Sequence, residues 1–169
     1  MTIDKIKAYA LNELKIFPCA KDKRPLTPHG FKDATSDADK IKSYWREHPQ
    51  ALIGLATGEV NNVVVLDFDL HKDGSCLTQF ETEFKLSLEG HPYKVRTMNG
   101  GLHFYFRYPK GYDIRSRNGF RSSVDVKANG GYVIAADGET YRLDGAPSPD
   151  HASGVRTSTL AVAQNVEIA

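Results

Sequence analysis

The sequence has few cysteines, no long apolar run and almost no net charge. Its two cysteines, Cys19 and Cys76, stand far apart, and neither belongs to a C-x-x-C element. This argues against a disulfide scaffold and a cysteine-built zinc site, so we expect no zinc. Because no apolar run approaches the roughly 20 residues of a membrane span, we expect no membrane association. The first ten residues lack the apolar stretch of a secretory signal, and we expect a cytoplasmic protein.

The formal net charge of +1 excludes a uniformly basic nucleic-acid-binding chain. The charge is nevertheless unevenly distributed. Residues 59–93 carry seven acids against two lysines, whereas residues 94–127 carry eight Lys and Arg against two acids. Most such charges on a protein are solvated surface groups. An acidic block followed by a basic block also fits a metal site beside a site for a polyanion.

The length of 169 residues, with 40% hydrophobic and 25% charged residues, suits one domain with its own core. After about Leu143 the composition turns to Gly, Ala, Pro, Ser and Thr. We therefore predict one catalytic domain over residues 1–144 and a flexible tail or linker over residues 145–169.

Apolar spacing predicts three helices. The first lies within residues 3–15 and ends before Pro18. The second covers about residues 37–48, with Ser36 and Asp39 as its capping pair. The third covers about residues 74–86, within the acidic block.

Short runs of β-forming residues predict the strands. Residues 52–56 form one strand, and the β-branched run Val63-Val64-Val65-Leu66 is typical of a strand buried on both faces. Two hairpins are predicted after it. Residues 93–98 and 102–108 flank Asn99-Gly100, which favours a type I′ turn, and residues 124–127 and 132–136 flank the segment 128–131.

Two acids continue the buried strand. Asp67 and Asp69 project from the same face, because a strand alternates its side chains. Two neighbouring carboxylates repel each other, and a bound Mg²⁺ or Mn²⁺ would stabilise the pair. A D-x-D pattern is short, however, and it is equally typical of a strand that has emerged into solvent.

The same alternation applies to the hairpin strands. His103 faces away from Leu102, Phe104 and Phe106, and Asp125 faces away from its flanking valines. If these strands share one sheet, the five polar side chains lie on one side of it: Asp67, Asp69, His103, Asp125 and Lys127. The ordinary alternatives are a half-buried histidine bonded to a carbonyl group and a hairpin salt bridge at Asp125.

Three carboxylates beside cationic groups are what nucleotidyl transfer needs. Two metal ions activate the attacking hydroxyl and stabilise the leaving pyrophosphate, while basic groups hold the triphosphate. A metal-dependent nuclease uses similar acids, and alternation does not separate the two.

At this point the chain resembles a known family, the N-terminal domain of bifunctional DNA primase/polymerases of the archaeo-eukaryotic primase superfamily, found widely in mobile elements. Three motifs carry the resemblance most directly: Val64-Val65-Leu66-Asp67-Phe68-Asp69, Gly100-Gly101-Leu102-His103-Phe104-Tyr105-Phe106 and Val124-Asp125-Val126-Lys127. Further matching stretches lie at residues 17–18, 23–26, 30–35, 45, 49, 53–58, 71–74 and 130–135.

The resemblance implies roles for the matching positions. Asp67, Asp69 and Asp125 would be the catalytic acids and the ligands of two Mg²⁺ or Mn²⁺ ions. His103 would contact the nucleotide phosphates. Other residues predicted near the substrates are Lys127, Gly101 and Arg107 for nucleotide binding, and Lys23, Arg24, Lys32 and Tyr105 for the rim that meets template or triphosphate.

The resemblance also implies a fold and partners. The fold class is α+β, with an RRM-like catalytic sheet and flanking helices joined to an N-terminal α/β unit, and with the active site in the cleft between them. The implied activity is template-dependent synthesis and extension of primers on single-stranded DNA. The partners are template, primer, NTP or dNTP, and a helicase in the same chain or a separate one. The alternatives are a non-catalytic module that binds single strands or nucleotides, and a metal-dependent nuclease.

Two departures from the family pattern bear on the site. Relatives often have Ser two residues before the histidine, where this chain has Gly101. A hydroxyl contact is then lost, although a backbone N–H remains for phosphate. After Ile134, relatives often show Pro-rich sequence, where this chain has Ala135-Ala136.

Overall fold

The computed structural model describes residues 6, 9–91 and 93–135. The predicted domain end at residue 144 and the predicted tail over residues 145–169 lie outside the described residues. Within them, no helix is long and apolar enough to cross a membrane.

The described residues form eight strands, two α-helices and two short 3₁₀ helices, Gly30–Asp33 and Glu59–Asn61. Residues 6 and 9–11 are also helical, in agreement with the first predicted helix. The strands and α-helices are β1 (Ile16–Cys19), α1 (Ala38–Glu47), β2 (Leu52–Ala56), β3 (Val63–Phe68), α2 (Cys76–Phe84), β4 (Lys94–Arg96), β5 (Leu102–Arg107), β6 (Arg117–Arg121), β7 (Val124–Lys127) and β8 (Tyr132–Ile134).

The strands make two antiparallel sheets. One has three strands in the order β1-β2-β8, and the other has five in the order β4-β5-β3-β7-β6. The chain is therefore a mixed α/β protein with few helices. The central position of β3 explains why its sequence is so strongly apolar.

One core lies between α2 and the apolar face of the five-stranded sheet. Phe68 of β3 packs edge-on against Phe104 of β5 and Phe80 of α2, with ring centroids 5.5 and 5.3 Å apart. Val124 and Val126 of β7 belong to the same buried cluster. The predicted apolar faces of these strands do share one side of one sheet.

A second core lies between the two sheets. Val65 and Tyr105 on the other face of the large sheet pack in one cluster with Leu55 and Val133 of the small sheet. Trp45 of α1 belongs to this cluster as well. The side predicted to be open is thus covered along much of β3, and the covered part ends where the acidic residues begin.

The second predicted hairpin is wrong. β7 pairs with β3 on one edge and with β6 on the other, so no edge is free for β8, which instead pairs with β2 in the small sheet. Thr57 fixes the crossing, because its hydroxyl donates to Ala128 O at 2.7 Å and its N–H donates to Gly131 O at 3.0 Å. The Gly-rich segment 128–131 is a connection between sheets.

The actual partner of β7, strand β6, was not predicted. Its sequence Arg-Asn-Gly-Phe-Arg has little β-propensity. Its pairing with β7 contains a register shift, and Gly119 within it has φ 64°. Ser123, in the turn between the two strands, has φ 57°.

The first hairpin has the predicted strands, but its predicted turn type is wrong. A type I′ turn needs positive φ at both Asn99 and Gly100, and of these two only Gly100 has it, at 81°. Gly100 N–H donates to Thr97 O at 3.0 Å, and Thr97 N–H donates to Gly101 O at 2.9 Å. The loop is therefore a three-residue connection ending in a left-handed glycine.

The predicted cap of α1 is displaced by one residue. Asp37 is the N-cap, and its Oδ1 accepts from Asp39 N–H at 2.9 Å and from Lys40 N–H at 3.0 Å. Ser36 therefore lies one position before the cap. A short carboxylate at the N-cap satisfies two N–H groups that the helix itself cannot.

Candidate functional site

A cleft of about 1210 Å³ opens between the two sheets where the second core ends. Asp67, Asp69, His103 and Lys127 line its side on the large sheet. The other lining residues come from the β4–β5 hairpin (Val95, Arg96, Thr97, Met98, Asn99), from the approach to β6 and its start (Ser116, Asn118), and from β8 with its flanks and two loop residues (Gly130, Gly131, Tyr132, Val133, Ile134, Ala135, Lys23, Phe31).

Asp67 lies at the centre of the polar residues. It stands opposite His103 in the ladder with β5 and opposite Asp125 in the ladder with β7. Directly opposed residues of an antiparallel pair project to the same face, with Cβ atoms about 5 Å apart. The strand register thus brings together three side chains from segments that are far apart in the sequence.

Asp69 follows directly after β3. Its N–H donates to Ser123 O at 2.9 Å, which ties it to the β6–β7 turn. Its carboxylate forms a hydrogen-bonded ion pair with Lys72 and lies 3.7 Å from His71 Nδ1. The turn that follows β3 therefore supplies the cation nearest to Asp69.

Asp125 has both carboxylate oxygens engaged. Its Oδ1 accepts from Gly119 N–H at 2.7 Å, and its Oδ2 accepts from Lys127 Nζ at 2.8 Å. Lys127 Nζ also donates to Asn118 Oδ1 at 2.6 Å. The sequence left open a hairpin salt bridge at Asp125, and the structure shows an ion pair with Lys127 of the same strand, beside Asp67.

The pKa of Lys72 is affected by all three acids. The pKa of Lys72 is raised, first by its hydrogen bond and its attraction to Asp69, and further by the charges of Asp125 and Asp67. All three carboxylates therefore act on one ammonium group. Their negative charge is concentrated in one place, and the side chains remain only 25 to 35% exposed.

His103 is buried, with 7% of its surface exposed. Its Nε2 lies 3.3 Å from Asp67 Oδ1, and its Nδ1 lies 3.4 Å from the Tyr105 hydroxyl. Tyr105, predicted at the rim, is itself buried in the core between the sheets. Its hydroxyl contacts the His103 ring at Nδ1, and Nε2 is the ring atom that faces Asp67.

Gly101 is required by close packing. A Cβ atom at this position would lie 2.5 Å from Phe68 O and 3.1 Å from Thr97 Oγ1. Gly101 N–H donates to Thr97 Oγ1 at 3.0 Å, so this N–H already has a partner within the hairpin. The hydroxyl nearest to the position where relatives carry Ser is that of Thr97, which lines the cleft.

The structure does not bring all predicted residues together. Arg107 is opposite Val63, four residues along β5 from His103, which is about 13 Å at the rise of a strand. Arg24 and Lys32 are exposed and lie outside the cleft lining, where Arg24 pairs with Asp22. Of the basic residues predicted for the rim, only Lys23 lines the cleft.

Several cleft residues were missed by sequence reasoning. Asn118 lies in β6, a strand that was not predicted, and Thr97 follows directly after β4 inside the predicted strand 93–98 but was not singled out. Tyr132 was assigned to a hairpin that does not exist. The only sequence signal for Tyr132 would have been a prediction that the strand after Gly130-Gly131 belongs to another sheet.

The carboxylate oxygens of Asp67, Asp69 and Asp125 are the donor type that Mg²⁺ and Mn²⁺ prefer. Within residues 6, 9–91 and 93–135, however, no three or more His, Cys, Asp or Glu side chains are gathered closely enough to hold a metal ion as they stand. The ammonium groups of Lys72 and Lys127 are bonded to two of the acids instead. The three carboxylates fit a divalent cation when Lys72 moves away from Asp69 and Lys127 moves away from Asp125.

The fold and site define a class: a two-sheet α/β protein whose cleft holds both carboxylates suited to divalent cations and lysines suited to phosphate. The chain belongs to the family of bifunctional DNA primase/polymerase N-terminal domains, whose model matches residues 6–153. This confirms the family resemblance. Membership suggests primase/polymerase activity of the nucleotidyltransferase type, divalent metals, and DNA and nucleotides as substrates. No curated protein matches the chain.

Proposed function

We propose that this domain is a template-dependent nucleotidyltransferase that synthesises and extends primers on single-stranded DNA. The single observation that carries the proposal is the register of β3, which sets the cleft residue Asp67 opposite both His103 and Asp125, although Asp125 itself is not part of the cleft lining. Family membership supports it independently. Because Asp67 and Asp125 stand opposite each other in one ladder, both can act on one substrate.

Asp67, Asp69 and Asp125 would hold the divalent metal ions. When bound, two such ions lower the pKa of the attacking 3′-hydroxyl and offset charge on the leaving pyrophosphate. The protein's own contribution would be to hold Asp67 opposite Asp125, with Asp69 directly after β3, as partly buried carboxylates whose attraction for cations is stronger than in open water.

The cationic residues would hold the triphosphate. The Lys127 ammonium group donates a hydrogen bond to Asp125 in this structure. Once Asp125 binds a metal ion, Lys127 can bind a phosphate instead. His103 presents Nε2 to the same space and donates a hydrogen bond to a phosphate oxygen. Lys23 adds a further positive charge to the cleft lining, and Lys72 pairs with Asp69.

The finer fold assignment belongs to this proposal as well. The five-stranded sheet with α2 would be the RRM-like catalytic sheet, and the three-stranded sheet with α1 would be the N-terminal α/β unit. The cleft between the sheets then takes template, primer and nucleotide. A helicase would supply the unwound template.

A non-catalytic binding module is the second candidate. The observation that favours it is the pairing of Asp69 with Lys72 and of Asp125 with Lys127, which neutralises the acids within the protein. Such a cleft binds a polyanion without needing a metal ion.

The test is incorporation of labelled nucleotide on single-stranded DNA, with ribo- or deoxynucleotides, with and without a primer, in Mg²⁺ and in Mn²⁺. We expect incorporation that needs the metal and is abolished by Asp67→Asn. Asp39→Asn, which removes an exposed carboxylate on α1, is the matched control and should retain full activity. Tight template binding without incorporation would favour the binding module, and template degradation would favour a nuclease.

A further inference from the structure

An aromatic group lines the cleft on the side of the small sheet and has no assigned role. Phe31 and Tyr132 both line the cleft, and their rings are stacked, with centroids 6.1 Å apart and planes inclined by 27°. Both side chains are half-buried. Neither ring belongs to either of the two core clusters of the described residues.

The ring of Tyr132 is held in place by three contacts. It makes a T-shaped contact with Phe17, with centroids 5.2 Å apart at 78°. Its hydroxyl donates to Lys23 O at 3.0 Å, and its face meets Phe31. Phe17 is fully buried and lies over Gly54, where a Cβ atom would stand 2.5 Å from the ring.

These contacts make the Phe31–Tyr132 pair rigid, although the pair contributes little to the two cores. A rigid aromatic surface at the edge of a polar cleft is suited to a flat, uncharged π system. The opposite side of the cleft carries carboxylates, a lysine and a histidine, which suit phosphates and cations. One ligand that has both a flat apolar part and a polyanionic part is a nucleotide.

We propose that Phe31 and Tyr132 form a stacking surface for a nucleobase that is bound in the cleft. The inference rests on the proposed function for the phosphate end of the ligand. Stacking of a base on an aromatic side chain contributes regardless of base identity, because every base has a π face. The surface would therefore fix the position of the base without selecting which base is bound.

The nucleobase has two sources, a free nucleotide or a base of the single-stranded template. 2-Aminopurine distinguishes them, because its fluorescence is quenched when it stacks. In one arm the protein is titrated into 2-aminopurine deoxyribonucleoside triphosphate without DNA. In the other it is titrated into a single-stranded oligonucleotide that carries one 2-aminopurine.

We expect quenching in at least one arm, and the arm identifies the source. Phe31→Leu and Tyr132→Leu, which keep apolar volume but remove the ring, should weaken the affinity about tenfold. Tyr132→Phe should restore quenching, since it keeps the π face. Phe84→Leu is the matched control, because Phe84 belongs to a similar stacked pair with Phe120, 6.0 Å apart at 17°, outside the cleft.

Wild-type protein that quenches in neither arm, or ring-free variants that quench as well as wild type, would overturn the inference. The readout needs no catalysis. A failure of the proposed function appears instead as absent incorporation by the wild type, so the two failures are distinguishable.

Discussion

His103 Nε2 lies 3.3 Å from Asp67 Oδ1, across the ladder that joins β5 to β3. Both residues line the large-sheet side of the cleft, and the Tyr105 hydroxyl lies 3.4 Å from His103 Nδ1. The contact places the His103 ring against Asp67, the acid that stands opposite both His103 and Asp125. The account of the site depends on this position.

His103→Asn should lower kcat/KM for nucleotide about tenfold to a hundredfold, the usual effect of losing a hydrogen bond to a charged group. The change should appear mainly as a raised KM, because the residue is proposed to hold phosphate. Steady-state incorporation at varied nucleotide measures it. His48→Asn, at the C-cap of α1, is the control. An unchanged KM in His103→Asn would remove this residue from the phosphate site.

Lys72→Met should strengthen Mn²⁺ binding about two- to fivefold, as expected for removing an exposed competing cation. The reason is that Lys72 is paired with Asp69 and feels the charges of Asp67 and Asp125. Isothermal titration with Mn²⁺ measures the effect. Lys42→Met removes the equivalent exposed i,i+3 pair with Asp39 on α1 and should change nothing. Weaker Mn²⁺ binding in Lys72→Met would mean that Lys72 supports the cation site.

Gly101→Ser should destabilise the fold by about 1–3 kcal/mol, the cost of overpacking a filled position. Its Cβ would stand 2.5 Å from Phe68 O, so the β4–β5 hairpin must shift. Urea unfolding measures the difference. Gly90→Ser is the control, because no atom lies within 4 Å of the Cβ built there. A Gly101→Ser variant as stable as wild type would show that the hairpin accepts the residue common in relatives.

His91 should make stability fall below neutral pH. Burial lowers the pKa of His91 to about 4, with a smaller effect from the charge of Lys94. The neutral ring is favoured in the folded protein, so its stability contribution is present above the unfolded pKa of about 6.5 and is lost as the pH falls toward 4. In the described residues, no partner reaches its buried Nε2, and Phe104 and Phe106 pack against the ring.

We expect wild type to lose about 1–2 kcal/mol more than His91→Asn between pH 6.5 and pH 4, a value reduced for the partial exposure of the ring. Asn does not titrate, and its side-chain oxygen can still accept from Tyr93 N–H, as His91 Nδ1 does. Chemical denaturation across this pH range gives the comparison. Parallel pH profiles for the two proteins would contradict the assignment.

The sequence predicts those parts of the fold in which local pattern and packing agree. The run Val63-Val64-Val65-Leu66 is apolar at each position because β3 is central and covered on both faces. Alternation likewise placed Phe104 and Val126 on the apolar side. Such signals are readable because burial acts on each residue of the strand.

The sequence does not show which strands are neighbours. The segment 128–131 looks like a hairpin turn, yet it connects two sheets, because both edges of β7 are already paired. Strand β6 is held by its neighbour and by a hydrogen bond from Gly119 to Asp125, not by β-propensity. These choices are made by tertiary contacts that local spacing does not encode.

The candidate site, like the fold, was predictable only in part from the sequence. Asp67, His103 and Asp125 were identified because each interrupts an apolar strand, and the register sets them side by side. Arg107 satisfied the same alternation but lies too far along β5, since parity fixes the face and not the depth. Tyr132 and Phe31 were missed because aromatic residues resemble core until their exposure is known.

The most direct test of the central claim concerns Asp125, which reaches Asp67 from a separate segment of the chain. Single-turnover incorporation on a primed single-stranded template should be abolished by Asp125→Asn, which keeps the shape of the side chain and removes its charge. Asp39→Asn should be as active as wild type. Incorporation by Asp125→Asn at the wild-type rate would contradict the account, because the acids of β3 and β7 would then not serve one site.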